Sequence, residues 1–139
     1  MMLFEIDTEL AEVIRTSWFT LDPDTYAYTK VEEVRHPEKH LIVTRDADEI
    51  TVVTALQHLE LLGRYERNPE NWRLMNIKCG NPFYCVGFLA SICSEFARNR
   101  IDVTATSTYT NDYIMVQEGD LNRSLALLVT LGFEHREQR

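Results

Sequence analysis

Between Trp72 and Glu137 the spacing of apolar residues switches between a period near two and a period near 3.6, so strands and amphipathic helices must alternate there. Trp72–Cys79 alternates, with Trp72, Leu74 (or Met75) and Ile77 placed for burial, and reads as a strand. Gly80-Asn81-Pro82 stops it; Asn81 is the expected N-cap and Pro82 suits a first helical turn. Cys85, Phe88, Leu89, Ile92, Cys93 and Phe96 then form one apolar stripe on a helix that ends near Arg100. Gly87 lies inside its first turns, where glycine lowers helix stability, so it is expected to serve close packing or the approach of a ligand.

Ile101–Thr108 is rich in β-branched residues and Tyr113–Val116 is a short apolar run. The polar turn Tyr109-Thr110-Asn111-Asp112 separates these two predicted strands. Asp120 is the expected N-cap of a second helix whose apolar face is Leu121, Leu125, Leu128 and Val129. Gly132 ends it, and Phe133–Glu137 is long enough for a closing strand. The order over residues 72–137 is β-α-β-β-α-β. Two helices with one apolar stripe each must cover one face of a four-stranded sheet, which predicts an α+β, ferredoxin-like fold.

The first half is less regular. Thr8–Trp18 has helical spacing, and Asp22-Pro23-Asp24 is expected to break the chain after it. Tyr26–Val31 reads as a strand, and Leu41–Arg45 with Ile50–Thr54 as a hairpin around Asp46–Glu49. Leu59–Arg67 reads as a short helix, and Asn68-Pro69-Glu70-Asn71 as a linker. The expected organisation is an N-terminal extension (1–25), an abbreviated unit (26–67) and a complete βαββαβ unit (72–137).

Two stretches carry a family resemblance. Phe83–Ser91 followed by Ile101–Val116 resembles the ACT domain of the branch related to the CASTOR-type arginine sensors. That branch has a Phe, a Gly four residues on and then Leu-Ala-Ser, matched here by Phe83, Gly87 and Leu89-Ala90-Ser91, and a Ser-Thr-aromatic-x-x-Asp-Tyr loop, matched by Ser107–Tyr113. Val43–Val53 is similar to the hairpin of the preceding ACT-like unit. The branch commonly places an acid directly before the Phe; here the residue is Pro82. The resemblance implies tandem ACT-like units and a cytoplasmic, allosteric regulatory module. It also implies a small ligand, typically a free amino acid, lodged between the turn before the first helix of one unit and a strand of the adjacent unit. The implied ligand-binding residues are Thr51, Val52, Val53, Phe83, Val86, Gly87, Thr110, Asn111 and Asp112. Physical reasoning supports two of the contacts: a helix start favours a carboxylate, and Asp112 can receive an ammonium. The plainer alternative is that Gly87 serves packing and Asp112 only shapes a turn.

Charge narrows the partners. A net charge of −8 repels phosphate backbones and anionic lipid, so neither nucleic acid nor membrane is expected. The N-terminus lacks a basic segment followed by a long apolar core, so a cytoplasmic location is expected. Cys79, Cys85 and Cys93 have no zinc-type spacing and read as buried small hydrophobes. His36 and His40 are separated by Pro37 and read as loop residues rather than metal ligands. No nucleophile elbow, P-loop or dinucleotide fingerprint is present, so no enzyme activity, cofactor or metal is expected. Two functions remain open at this level. The first is binding of a free amino acid, read out through a regulated partner protein. The second is ligand-free assembly through the sheet. Either way a homodimer is expected, because sheet edges and an apolar face need cover.

Overall fold

The computed structural model describes residues 6–81 and 85–138. Two compact units divide the chain. One comprises Met1–Asp22 and Arg73–Arg139, the other Pro23–Trp72. Of the segment expected as an N-terminal extension (1–25), the described residues up to Asp22 therefore lie in the same unit as the βαββαβ region.

In the first unit α1 (Thr8–Arg15) starts where the Asp7 carboxylate accepts the Leu10 N–H at 2.8 Å. Leu10 and Ile14, four residues apart, are its buried stripe. A long strand, β1 (Trp18–Val31), follows and gives its first five residues to this unit. The sequence expectation of a break at Asp22-Pro23-Asp24 is not met. Pro23 is exposed within β1, between Trp18–Phe19, which pair with Glu134–His135, and Tyr26–Val31, which pair with Ile50–Ala55, a position where a missing N–H is tolerated.

Next come β5 (Trp72–Lys78), α2 (Phe88–Arg98), β6 (Val103–Ser107), β7 (Asn111–Gln117), α3 (Leu121–Leu131) and β8 (Glu134–His135). The β-α-β-β-α-β order is thus as read. The unit's strand order is β8-β1-β5-β7-β6. The closing strand is shorter than expected and pairs in parallel with Trp18 and Phe19 of β1. Ring contacts fix it there: His135 stacks on Phe19 at 4.5 Å and Arg136 lies over Trp18 at 4.6 Å. Gly132 caps α3 at φ 115°, the left-handed conformation that favours glycine.

The period of two decides what the sheet buries. Met75 and Ile77 of β5 and Ile114 and Val116 of β7 join Phe19, Ile92, Phe96 and Leu128 in one core beneath the helices. The alternate residues Leu74 and Met115 are buried as well. The opposite sheet face, which a sheet with helices on one side leaves either exposed or packed on something else, is therefore covered at these positions.

The second unit is a small antiparallel sheet. β3 (Ile50–Ala55) pairs with β1 from Tyr26 to Val31 and with β2 (Ile42–Arg45), and β4 (Tyr65–Arg67) pairs with Thr29–Val31. The β2–β3 hairpin forms as expected. Its Asp46 carboxylate accepts the N–H groups of Asp48 and Glu49, and these bonds hold it below the usual carboxylate range. Leu59–Arg67 is not one helix. Leu56–Leu62 is a 3-10 turn, Gly63 at φ 75° ends it, and Tyr65–Arg67 extends to pair with β1. Val31, Ile50, Val52 and Leu62 form this unit's core. His40 lies in the loop before β2, as read, and is half-buried there. Its Nε2–H donates to the Arg35 carbonyl at 2.7 Å, which leaves Nδ1 to accept the buried Thr54 hydroxyl at 2.8 Å.

Candidate functional site

Two turns of the first unit face each other across a pocket of about 540 Å³. One follows β5 and leads into α2; the other joins β6 to β7. The first turn is anchored from below. The buried Ser17 hydroxyl donates to the Val13 carbonyl at 2.7 Å and accepts the Gly80 N–H at 2.8 Å. One side chain thus ties the end of α1 to the exit of β5, where a methyl group on Gly80 would collide with Thr16. Cys79 and Asn81 line the pocket just beyond this anchor, with the Asn81 N–H directed at the Cys79 sulfur at 3.4 Å.

Helix α2 starts later than its sequence indicates. Gly87, at φ 86° and ψ 0°, is the N-cap, so Asn81 does not open the helix; Pro82 lies outside the described residues. The Phe88 N–H reaches the Cys85 carbonyl at 3.3 Å, and the first i→i−4 bond runs from the Ser91 N–H to the Gly87 carbonyl at 2.8 Å. The amides of Leu89 and Ala90 precede that bond, at the positive end of the helix dipole. Gly87 is therefore a conformational requirement. Gly87→Ala should cost about 1–2 kcal/mol, the penalty of a left-handed non-glycine residue; an unchanged urea midpoint would refute this account of the turn.

The second turn is tightly self-bonded. Ser107 pairs with Asp112 across the β6–β7 ladder. The Thr108 N–H donates to the Asn111 carbonyl at 2.8 Å, and the Asn111 N–H returns to Thr108 Oγ1 at 3.1 Å. The Ser107 hydroxyl donates to Asp112 Oδ1 at 2.6 Å, which fixes the carboxylate at the pocket wall. Thr110, Asn111 and Asp112 all line the pocket.

The thiols are electrically quiet. Burial raises the pKa of Cys85 first, and Cys79, Glu9 and Asp7 add to it. Burial likewise raises Cys93, with the Asp112 charge second. Both thiols therefore stay protonated at neutral pH and lack the character of reactive cysteines. Among the described residues no cluster of three or more His, Cys, Asp or Glu side chains is arranged to hold a metal.

Of the expected site residues, Val86, Thr110, Asn111 and Asp112 meet at this pocket, and Gly87 caps the helix beside it. Phe83 lies outside the described residues. Thr51, Val52 and Val53 belong to β3 of the second unit. Val52 sits in that unit's core and Val53 is buried, while Thr51 is half-buried beside Lys30, Glu49 and Glu66. Sequence reasoning did not select Cys79, Asn81, Cys85, Phe88, Leu89 or Tyr109 as lining residues. Tyr109 was the one detectable case: it is an aromatic residue in an otherwise polar turn, and it is 85% exposed.

With this geometry in place the comparisons with known proteins are informative. Residues 67–129 match the ACT domain family. The matched span holds β5, α2, β6, β7 and most of α3, so both turns around the pocket belong to the ACT-like region. No curated protein matches the chain in sequence. Among solved structures, a Vibrio cholerae protein of unknown function aligns over 89% of this chain and 96% of its own, with 17% identity and a TM-score of 0.77. An Agrobacterium tumefaciens protein aligns over 88% and 94%, at 20% identity and a TM-score of 0.69. The regulatory subunit of aspartate kinase from Thermus thermophilus aligns over 81% and 95%, at 7% identity and a TM-score of 0.61. At these identities the likeness is one of fold. No helix among the described residues is long and apolar enough to cross a membrane.

Proposed function

We propose that the chain is a non-catalytic regulatory module that binds a free amino acid in the pocket between the β5–α2 turn and the β6–β7 turn. One observation carries the reading. A single concavity of about 540 Å³, a usual size for a small-ligand site, joins the start of an eleven-residue helix to a carboxylate held by Ser107. The helix start suits a ligand carboxylate and Asp112 suits an ammonium, the two charges of a zwitterion. The ACT match supports the regulatory part of the proposal, as does the shared fold with an aspartate kinase regulatory subunit. The site is drawn from first-unit residues, with Val86, Gly87 and Thr110–Asp112 as its centre.

The test is a thermal-shift scan against the twenty amino acids at millimolar concentration. A ligand at one hundred times its Kd adds about 2.7 kcal/mol, which raises the melting temperature by several degrees in a chain of this size. At least one amino acid should do so; no shift with any of the twenty would sink the reading.

A second reading, assembly without a ligand, draws on a different observation. Val86 and Tyr109 at the pocket are 95% and 85% exposed, apolar surface of the kind that a second copy of the chain would cover. Light scattering at tens of micromolar distinguishes the two: a ligand-independent dimer mass with an empty amino-acid scan favours assembly alone.

A further inference from the structure

A free amino acid brings one ammonium and one carboxylate before its side chain is counted. Among the described residues the pocket offers one charged side chain to receive them. Among its described lining residues only Asp112 is charged at neutral pH. Positions 82–84, next in sequence to Cys85, are Pro, Phe and Tyr and add no charge. Among the described residues no lysine or arginine lines the cavity. Asp7 and Glu9 act on Cys85 from outside the lining and are exposed, so solvent and salt screen them.

We propose that the amino acid bound here has an uncharged side chain, whether aliphatic, sulfur-containing or aromatic. This inference rests on the amino-acid reading above and specifies the ligand class of the same site. Once the α-ammonium occupies Asp112, a lysine or arginine side chain would lose hydration against the buried Phe88 and half-buried Leu89 with no second counter-ion. A side-chain carboxylate would meet Asp112, a charge of its own sign, and no cation. A neutral side chain incurs neither cost. The pocket's volume also leaves room beyond the common zwitterionic part of the ligand.

The experiment is calorimetric titration of the full chain with each of the twenty amino acids, with leucine, methionine and phenylalanine set against lysine, arginine, aspartate and glutamate. At least one neutral amino acid should bind ten times more tightly than any charged one. A charged amino acid matching the best neutral one would overturn this inference and leave the amino-acid pocket standing. Silence from all twenty amino acids would overturn the pocket reading and this inference with it. Val86→Glu supplies a gain-of-function arm, because its position is 95% exposed and a carboxylate there adds the missing counter-ion at little risk to the fold. The affinity ratio should move towards lysine and arginine by about tenfold; a ratio left unchanged would overturn the inference that charge count sets selectivity.

Discussion

Phe96→Ala is expected to lower folding stability by about 3–5 kcal/mol, a large share of the roughly 5–15 kcal/mol that holds a domain folded. Phe96 is fully buried on α2. It shares the first unit's core with Met75 and Ile77 of β5, Ile114 and Val116 of β7, and Leu128 of α3. Removing the ring loses its transfer free energy and leaves a cavity that several rigid elements must close together. Urea unfolding followed by far-ultraviolet circular dichroism measures the loss. A cost under about 1 kcal/mol would mean that the core does not pack around this ring. Val129→Ala, on the exposed side of α3, is the matched comparison and should change stability by less than about 0.5 kcal/mol.

Asp112→Ala is expected to weaken binding of the amino-acid ligand by about one to two decades in Kd. The ligand ammonium would lose a charge-assisted hydrogen bond worth roughly 1.5–3 kcal/mol. The same change frees the Ser107 hydroxyl, which is exposed and can turn to water, so the stability cost should be far smaller than that of Phe96→Ala. The informative result is therefore a split, with affinity lost and the urea midpoint nearly kept. A variant that binds as well as the native chain would remove Asp112 from the site. One that loses stability and affinity together would make it a turn residue.

The parts of the fold legible in the sequence are those where one local signal decides the outcome. The alternation in Trp72–Lys78, the stripe through Phe88, Ile92 and Phe96, and the stop at Gly132 each needed no distant partner. The misread parts depended on tertiary pairing. Asp22-Pro23-Asp24 looks like a breaker, yet β1 runs through it because partners on either side of that point hold the chain extended. The strand Tyr65–Arg67, at the end of a stretch read as holding a short helix, has its ladder only because Thr29–Val31 supplies the partner. Periodicity alone also placed the start of α2 too early, because Cys85 fits the stripe although the backbone turns helical only after Gly87. At the site, Asp112 and its loop were recognisable from their residue types. The thiols and Phe88 were not, because lining a pocket and filling a core demand the same apolar residues.

The division of the chain has a consequence for the order of events at the ribosome. The second unit is one continuous segment, so every residue it needs has been made by Trp72. The first unit is split around it. Helix α1 and the opening of β1 are synthesised early, but the strands and helices they pack with come only after Arg73. At ordinary elongation rates the remaining residues take roughly three to thirteen seconds to appear. Through that interval Leu10, Ile14 and Phe19 have no completed core to enter, while the intervening segment can already pair Thr29–Val31 with Tyr65–Arg67 and so keep its own two ends near one another. Early folding of the inserted segment would then shorten the effective loop that the late-arriving half must close.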